Sequence, residues 1–442
     1  MLLSIPRAIS MSGGTRPSVL VVASPSPLTG GGGLRALRSL EEYVKHFETY
    51  LFIPWGLYGN KQVLRESTAY LRMLKSIGVR LAGFSLLPKV IHRLSREGSI
   101  TVLPTLILPL IVPGIAHINV GVTNYNAVIA LHEDWDAVYT GYVLAELHRT
   151  PSAVLLHLPP FYGSKKRLLN ILKAVLLWRE LRSSTLAEKM LSKAEAVARN
   201  LLLQHLSRRR YEKVLRKYTL VLGVSKATAV EMGGEWLDRM VTMDPGVSLN
   251  DEDLGVIESV RRKVKGKGNY VVFGGRPTAD KGLAEALLAF KHISKHFPEM
   301  KLVITGRATP NIRNVVRRIC KRLGLEGKVV FTGFIPREER FRIVAGARLM
   351  LYPSHVDAFP YAVLESLHLG TPVAAYRIPA IEIYYGRCPG VELVKEGDLE
   401  AFTVRAIELL ERGVEVVEPP RIKSWKEIMS EEVELISKIL KL

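Results

Sequence analysis

Short apolar runs alternate with helical patterns along most of the chain. The first run, residues 18–24, is rich in β-branched residues and is followed by prolines, four glycines at 30–33 and a helical pattern from Leu34. A strand, a glycine-rich turn and a helix in this order form the opening unit of an α/β domain. Further apolar runs occupy residues 50–53, 79–84, 127–131, 153–158 and 220–224. The alternation predicts a doubly wound parallel sheet across residues 15–240.

A second series of the same kind follows a polar, charged segment at residues 251–268. Strand patterns lie at residues 270–273, 301–305, 328–332, 349–352 and 372–375, and helical patterns at 282–296, 311–323, 337–345 and 363–369. We therefore predict a second doubly wound domain and, from Ser424 onward, an amphipathic helix. Two such domains side by side would form a cleft that the carboxyl ends of both sheets face.

Composition agrees with two globular domains. The chain has 442 residues, of which 48% are hydrophobic and 24% charged. Two cysteines, Cys320 and Cys388, exclude a disulfide framework and a four-cysteine zinc site, so a reducing, cytoplasmic location is expected.

The N-terminus has too few apolar residues for a signal peptide. Residues 101–116 are apolar but contain three prolines, which favours buried extended segments over a re-entrant membrane loop. Scarcity of glutamine, with only two residues, hints at a thermophile.

The charge is strongly positive and unevenly distributed. Sixty-two Lys and Arg against 42 Asp and Glu give a net charge of +20, which implies an anionic partner. Residues 161–217 alone hold 15 basic and 4 acidic side chains, a net of +11. This basic, amphipathic segment suits an anionic membrane surface, so the protein could be peripheral on the inner face of a membrane; a solvated face is an equally open reading. Nucleic acid is an unlikely partner, because no binding module is recognisable and aromatic residues are sparse there.

The loop after the strand at 270–273 carries candidate phosphate ligands. Gly274 and Gly275 precede Arg276, and Lys281 follows five residues later at a helix start. Glycines allow a ligand to approach the backbone, and the two cations can neutralise a diphosphate. Taken alone, an Arg and a Lys at these positions are more often surface charges.

A second candidate loop follows the strand that ends at Tyr352. It carries Asp357 and leads into a helix predicted to start near Tyr361, with Glu365 about one turn inside it. Amides at such a helix start form a natural phosphate site. The two acids could bind hydroxyls on either side of that phosphate; in isolation, a helix cap and a solvated helix residue would be the simpler interpretation.

Taken together, these motifs resemble the retaining glycosyltransferases of family 4, which have two Rossmann-like domains (the GT-B fold) and include sucrose synthase and the bacterial phosphatidylinositol mannosyltransferases. The matching segments, in chain order, are residues 30–33, 151–157, 223–228, 244–247, 275–276 with 281–282, 302–306, 329–336, 357–373 and 424–425. The resemblance implies an acceptor-side domain at 18–250, a nucleotide-sugar-binding domain at 251–420 and a terminal helix at 421–442 that packs back on the first domain. Residues 1–17 would be a disordered N-terminus.

The resemblance also implies roles for particular residues. Arg276 and Lys281 would hold the donor diphosphate, Glu365 the ribose hydroxyls and Asp357 the sugar hydroxyls. His157 would reach the reacting sugar, so His157 and Asp357 are the candidate catalytic residues. The remaining donor-binding candidates are Gly31, Gly32, Gly33, Phe334, Ile335, Phe359, Pro360, Tyr361, Ala362 and Val363.

The expected reaction moves a sugar from a nucleotide diphosphate to an acceptor hydroxyl on a glycan, a lipid-linked molecule or a small molecule. No metal or other cofactor is expected, although residues 132–136 offer a weak alternative set of metal ligands. Two positions depart from the family pattern: Asp357 stands where Glu is usual, and Pro360 where Gly is common, which leaves the donor sugar open.

Other classes of protein fit less well. The glycine spacing is not that of a nicotinamide dehydrogenase. A glycosidase would leave Arg276, Lys281 and the helix-start phosphate site without a purpose. A non-catalytic subunit of the same fold that binds sugar nucleotides or a membrane remains the alternative.

Overall fold

Two parallel sheets organise the protein, whose computed structural model describes residues 16–23, 31–54, 61–84, 124–306 and 308–441. In this part of the chain the first sheet has seven strands in the order β3-β2-β1-β4-β5-β6-β7. They are β1 (Ser18–Val22), β2 (Glu48–Ile53), β3 (Arg80–Phe84), β4 (Ala127–Ala130), β5 (Ser152–Leu156), β6 (Leu220–Gly223) and β7 (Val241–Thr242). In register, Val21 lies opposite Leu51 on one side and Ile129 on the other.

The second sheet has six described strands in the order β10-β9-β8-β11-β12-β13. They are β8 (Tyr270–Phe273), β9 (Lys301–Thr305), β10 (Val329–Gly333), β11 (Met350–Tyr352), β12 (Val373–Arg377) and β13 (Val391–Lys395). The order reverses between β8 and β11, where Val272 lies opposite Met350. Ligands of open α/β sheets bind at such a switch point, outside the carboxyl ends of the strands. The loops after β8 and β11 therefore meet at the expected place for a site.

Helices connect the strands. In the described residues they are α1 (Gly31–His46), α2 (Lys61–Ser76), α3 (Trp135–His148), α4 (Lys165–Arg182), α5 (Leu186–Leu215), α6 (Lys226–Met232), α7 (Trp236–Arg239), α8 (Asp251–Lys263), α9 (Leu283–His296), α10 (Pro310–Leu323), α11 (Arg337–Gly346), α12 (Tyr361–His368), α13 (Pro379–Tyr385), α14 (Leu399–Arg412) and α15 (Trp425–Leu440). Local sequence fixes several ends. For α10, the Thr309 hydroxyl accepts from the Ile312 amide, Pro310 opens the first turn, and Gly324 closes the helix at φ +71°.

Contacts divide the chain into two units, one comprising residues up to Val154 together with Glu432–Leu442, the other Leu155–Glu431. A core of the first unit includes Leu20, Tyr50, Phe52 and Val128. In the second unit the core surrounds the six-stranded sheet, and Trp178 of α4 packs into it. The domain limits at residues 250 and 420 stay a prediction.

The terminal helix α15 contacts the N-terminal region, as predicted. Ser424 and Glu427 form a capping box, in which the Ser424 amide donates to the Glu427 carboxylate at 2.7 Å and the Glu427 amide to the Ser424 hydroxyl at 3.3 Å. Farther along, the buried carboxylate of Glu432 accepts hydrogen bonds from Arg35 and Tyr43 of α1. This buried polar cluster lies within the first unit.

Several predicted features differ in detail or lie elsewhere. Helix α1 begins at Gly31 rather than at Leu34, and β5 ends at Leu156 rather than at residue 158. The predicted disordered N-terminus, except its last two residues, and the apolar stretch at 101–116 lie outside the described residues. Within the described ranges, no helix is both long and apolar enough to cross a bilayer.

Candidate functional site

The loop after β8 is shaped by two glycines with positive φ. Gly275 has φ +110°, and a Cβ there would lie 3.6 Å from the Lys281 side chain. Gly282, at φ +74°, precedes α9, and a Cβ there would lie only 2.0 Å from the carbonyl oxygen of Pro353. Gly282 thus lets the start of α9 approach the loop after β11 more closely than a residue with a side chain could. Between them, Arg276 is exposed and Lys281 is buried.

Asp357 is the best-anchored carboxylate of the site. Its Oδ2 atom accepts hydrogen bonds from Lys281 Nζ at 2.6 Å, from Tyr352 Oη at 2.5 Å and from Ser354 Oγ at 3.2 Å. Among the described residues, no hydrogen-bond donor reaches its Oδ1 atom. Hydrogen bonds to Oδ2 therefore fix the orientation of the carboxylate, and Oδ1 is left to accept a hydrogen bond from a ligand.

Lys281 is held by the same loop. Its ammonium also donates to the carbonyl oxygen of Val356 at 2.5 Å, so two of its three hydrogens are engaged. Burial and the neighbouring Asp357 raise the pKa of Tyr352 well above its ordinary value, so Tyr352 stays a neutral donor. The predicted diphosphate ligand and the predicted sugar ligand are thus direct neighbours.

Glu365 of α12 has a partner that the sequence did not reveal. Both of its carboxylate oxygens accept hydrogen bonds from Arg340 of α11, with Nη2 2.8 Å from Oε1. Burial lowers the pKa of Arg340, but the hydrogen bonds and charge of Glu365 outweigh it and raise that pKa overall. This bidentate pair fixes the orientation of the carboxylate predicted to bind ribose hydroxyls.

The start of α12 is where the sequence placed it. Pro360 is the N-cap, and its carbonyl accepts from the amide of Val363 at 3.2 Å, which engages one of the three predicted phosphate-binding amides. The ring of Phe359 is buried against Tyr384, Tyr385 and Tyr361, with centroids 5.0, 5.6 and 6.5 Å away. This packing fixes the main chain at residues 359–361.

The remaining candidates lie on other elements. Phe334 is 76% exposed and Ile335 partly buried, in the loop between β10 and α11. His157 is buried directly after β5. In the segment that follows, burial and the charges of Glu231, Asp357 and Asp280 raise the pKa of Tyr162, so this segment lies near the Asp357 loop. The three glycines 31–33 form the start of α1 in the other unit.

Sequence reasoning also missed His355, two positions before Asp357. His355 is buried, with carboxylates on both ring nitrogens. A histidine inside the candidate loop was a visible signal, but its burial and its partners depend on residues distant in sequence.

The fold is similar to that of solved structures over nearly the whole chain. Anabaena HepE, solved in complex with UDP and glucose, matches with a TM-score of 0.54 and 15% identity, covering 95% of this chain and 99% of that one. Sucrose-phosphate synthase from Thermosynechococcus elongatus matches with a TM-score of 0.56 and 14% identity, covering 96% and 100%. At these identities the likeness shows the fold alone, and the fold is GT-B, as predicted.

Sequence comparison finds a family match over part of the chain. Residues 257–417 match the family described as Glycosyl transferases group 1. An uncharacterized glycosyltransferase of Methanocaldococcus jannaschii is 33% identical over 104 residues, 23% of this chain and 26% of that protein. The D-inositol 3-phosphate glycosyltransferase of Acidothermus cellulolyticus is 30% identical over 160 residues, 34% and 35% of the two chains. The matches thus span about a quarter to a third of these relatives' lengths. The match to the glycosyl transferases group 1 family is thus confined to residues 257–417.

Proposed function

We propose that the protein is a retaining glycosyltransferase that moves a sugar from a nucleotide-diphosphate donor to an acceptor hydroxyl. The observation that carries the proposal is the Asp357–Lys281 pair at the switch point of the second sheet, beside the glycine loop that ends in Arg276. The family match of residues 257–417 and the relatives named as glycosyltransferases support it.

In the proposed reaction, the bond between the anomeric carbon and the β-phosphate oxygen breaks, and the acceptor oxygen attacks the same face of the sugar. The acceptor proton passes to the departing diphosphate. Arg276 and the third hydrogen of Lys281 would stabilise the charge that develops on the leaving group. Asp357 Oδ1 would accept a hydrogen bond from a donor-sugar hydroxyl, and Glu365, oriented by Arg340, would accept from the ribose.

The remaining predicted ligands complete this proposal. The amide of Ala362 would bind phosphate, exposed Phe334 would contact the base, and His157 would hydrogen-bond the reacting sugar. No metal is required, because two cations and the start of α12 supply the countercharge.

Release of nucleoside diphosphate from a panel of sugar nucleotides tests the proposal. We expect turnover with at least one donor, and a fall of roughly 100-fold in kcat/KM for Arg276→Ala, a typical effect of removing one electrostatic stabiliser. Arg387→Ala, an exposed arginine in the same half of the chain, serves as the matched control. Binding of a sugar nucleotide without any turnover would instead support the non-catalytic alternative.

We further propose that the basic segment at residues 161–217 docks on an anionic membrane. Some of its cations are neutralised internally, as in the pairs of Glu180 with Lys189 and Lys193. However, the start of α5 exposes Leu186, Met190 and Leu191 to 73%, 66% and 74%. Apolar side chains beside cations are typical of surfaces that bind the membrane interface.

Helix α10 adds charge to the same surface. It carries five cations and no acid, and two of them reach the α4–α5 connection: Arg318 donates to the Ser184 hydroxyl at 3.5 Å and Arg322 to the Ser183 carbonyl at 3.1 Å. Sedimentation with phosphatidylglycerol vesicles at low salt should show binding that Leu191→Ser weakens, while Leu254→Ser of α8 does not. Absence of binding at low salt would refute the membrane proposal.

A further inference from the structure

A buried ionic network lies behind the candidate sugar-binding loop. Arg167 of α4 contacts two carboxylates: its Nη2 lies 2.7 Å from Glu231 of α6, and its Nη1 pairs with Glu396, which follows β13. Asn170, one turn along α4, donates to the other oxygen of Glu396 at 2.6 Å. The charged side chains are between 1% and 12% exposed, so little water screens them.

His355 is the second cation of this network. Its Nδ1 lies 2.9 Å from Glu396 and its Nε2 3.0 Å from Glu285 of α9. An ionised carboxylate only accepts hydrogen bonds, and both ring nitrogens donate only in the imidazolium form. Burial lowers the pKa of His355, but the hydrogen bonds and charges of Glu285 and Glu396 outweigh it and raise the pKa overall. Two cations thus face three carboxylates.

The network forms hydrogen bonds with the main chain of the loop as well as with the His355 ring. Arg167 Nη2 donates to the carbonyl oxygen of His355 at 2.6 Å, and the His355 amide donates to the carbonyl of Asp280 at 2.9 Å. The next carbonyl, that of Val356, is the one that Lys281 binds, and Asp357 follows directly. Hydrogen bonds therefore hold the main chain at both residues that precede Asp357, His355 and Val356.

We propose that His355 and Arg167 are positioning residues that set the orientation of Asp357 toward the donor sugar. This inference rests on the proposed function, because it assigns them to the sugar-binding step of that reaction. Neither side chain touches the donor; each acts through the main chain between residues 355 and 357. Loss of either would let residues 355–357 relax, whereas the diphosphate ligands Arg276 and Lys281, which belong to the loop after β8, and the pair of Glu365 with Arg340 would stay in place.

The test separates sugar recognition from nucleotide recognition. In His355→Gln, which keeps one hydrogen bond and loses the charge, we expect the KM for the sugar nucleotide to rise about tenfold or more, as for other residues that orient a ligand-binding side chain. The Kd for the nucleoside diphosphate alone should change by less than about threefold, because that molecule lacks the sugar. Arg167→Lys keeps the charge but loses the planar guanidinium that binds several acceptors at once. It should likewise raise the KM for the sugar nucleotide while leaving the Kd for the nucleoside diphosphate nearly unchanged.

Helices α9 and α4 also supply the matched control variants for this test. His292→Gln, exposed on α9, and Arg179→Lys, whose partner Glu195 on α5 is 46% exposed, should leave both constants unchanged. If His355→Gln does not fold, Glu396→Gln, which keeps one acceptor oxygen for the ring and loses the charge, tests the same prediction. Equal loss of sugar-nucleotide and nucleoside-diphosphate affinity, or no loss of either, would overturn the positioning role while wild-type turnover upheld the proposed function. Absence of wild-type turnover with every donor would overturn both.

Discussion

Replacing Gly282 by alanine should damage the protein far more than replacing another glycine with the same backbone conformation. Gly282 and Gly324 have nearly equal φ values, +74° and +71°, at opposite ends of helices. A Cβ at Gly282 would lie 2.0 Å from the Pro353 carbonyl oxygen and 2.7 Å from its carbon, whereas a Cβ at Gly324 has nothing within 4 Å. Both substitutions therefore force alanine into a left-handed backbone conformation, but only Gly282→Ala also creates a steric clash.

The expected costs follow from these distances. A left-handed conformation costs a residue with a side chain about 1–2 kcal/mol, so Gly324→Ala should lower the free energy of unfolding by that amount. At Gly282 the Cβ meets rigid backbone, so an overpacking cost of about 1–3 kcal/mol is added. Gly282→Ala should therefore be about 1–3 kcal/mol less stable than Gly324→Ala.

Urea unfolding monitored by tryptophan fluorescence measures the difference, and donor kinetics give a second readout. Because relief of the clash displaces Pro353, which leads into the Asp357 loop, Gly282→Ala should also raise the KM for the sugar nucleotide, and Gly324→Ala should not. Equal stability of the two variants would refute the close approach of α9 to this loop.

Two further predictions concern the first unit. Glu432→Gln should lower the free energy of unfolding by about 3 kcal/mol, because it removes the ionised carboxylate that pairs with the buried guanidinium of Arg35; Glu431→Gln, which breaks a half-exposed pair with Lys423, should cost less than about 1 kcal/mol in the same urea titration. Burial and the charge of Asp134 raise the pKa of Asp136 to about 7. The folded state then binds more protons than the unfolded state between the ordinary carboxyl pKa and pH 7, so stability should fall as pH rises through that window. Asp136→Asn should flatten this dependence in thermal melts at pH 4 to 8, and an unchanged profile would contradict the assignment.

Strand positions in the second sheet could be predicted well from sequence. The runs at 270–273 and 301–305 coincide with β8 and β9, because short β-branched segments bounded by glycine or charged residues have few other options. Strand β13 and helices α13 and α14 were not predicted. β13 is an edge strand with one buried residue, so it lacks the continuous apolar run that marks a central strand.

The candidate site likewise has contacts that could be predicted from the sequence and contacts that could not. That Lys281 and Asp357 meet follows from two loops at the carboxyl ends of adjacent strands, which the motif order already indicated. The partners Arg340 and Arg167 could not be found, because each pairs with an acid on a different element. Such pairs depend on how helices pack, and an arginine in a helical pattern otherwise indicates only an exposed face.

The Arg35–Glu432 contact has a consequence for synthesis on the ribosome. The two residues are 397 positions apart, and at about 5–20 residues per second Glu432 is made roughly 20–80 s after Arg35. During that interval the carboxylate of Glu432 is missing from the place where the guanidinium is finally buried, and burial of the guanidinium without this pair would be less favourable. The first unit therefore cannot form this buried pair until the helix that carries Glu432 has been synthesised.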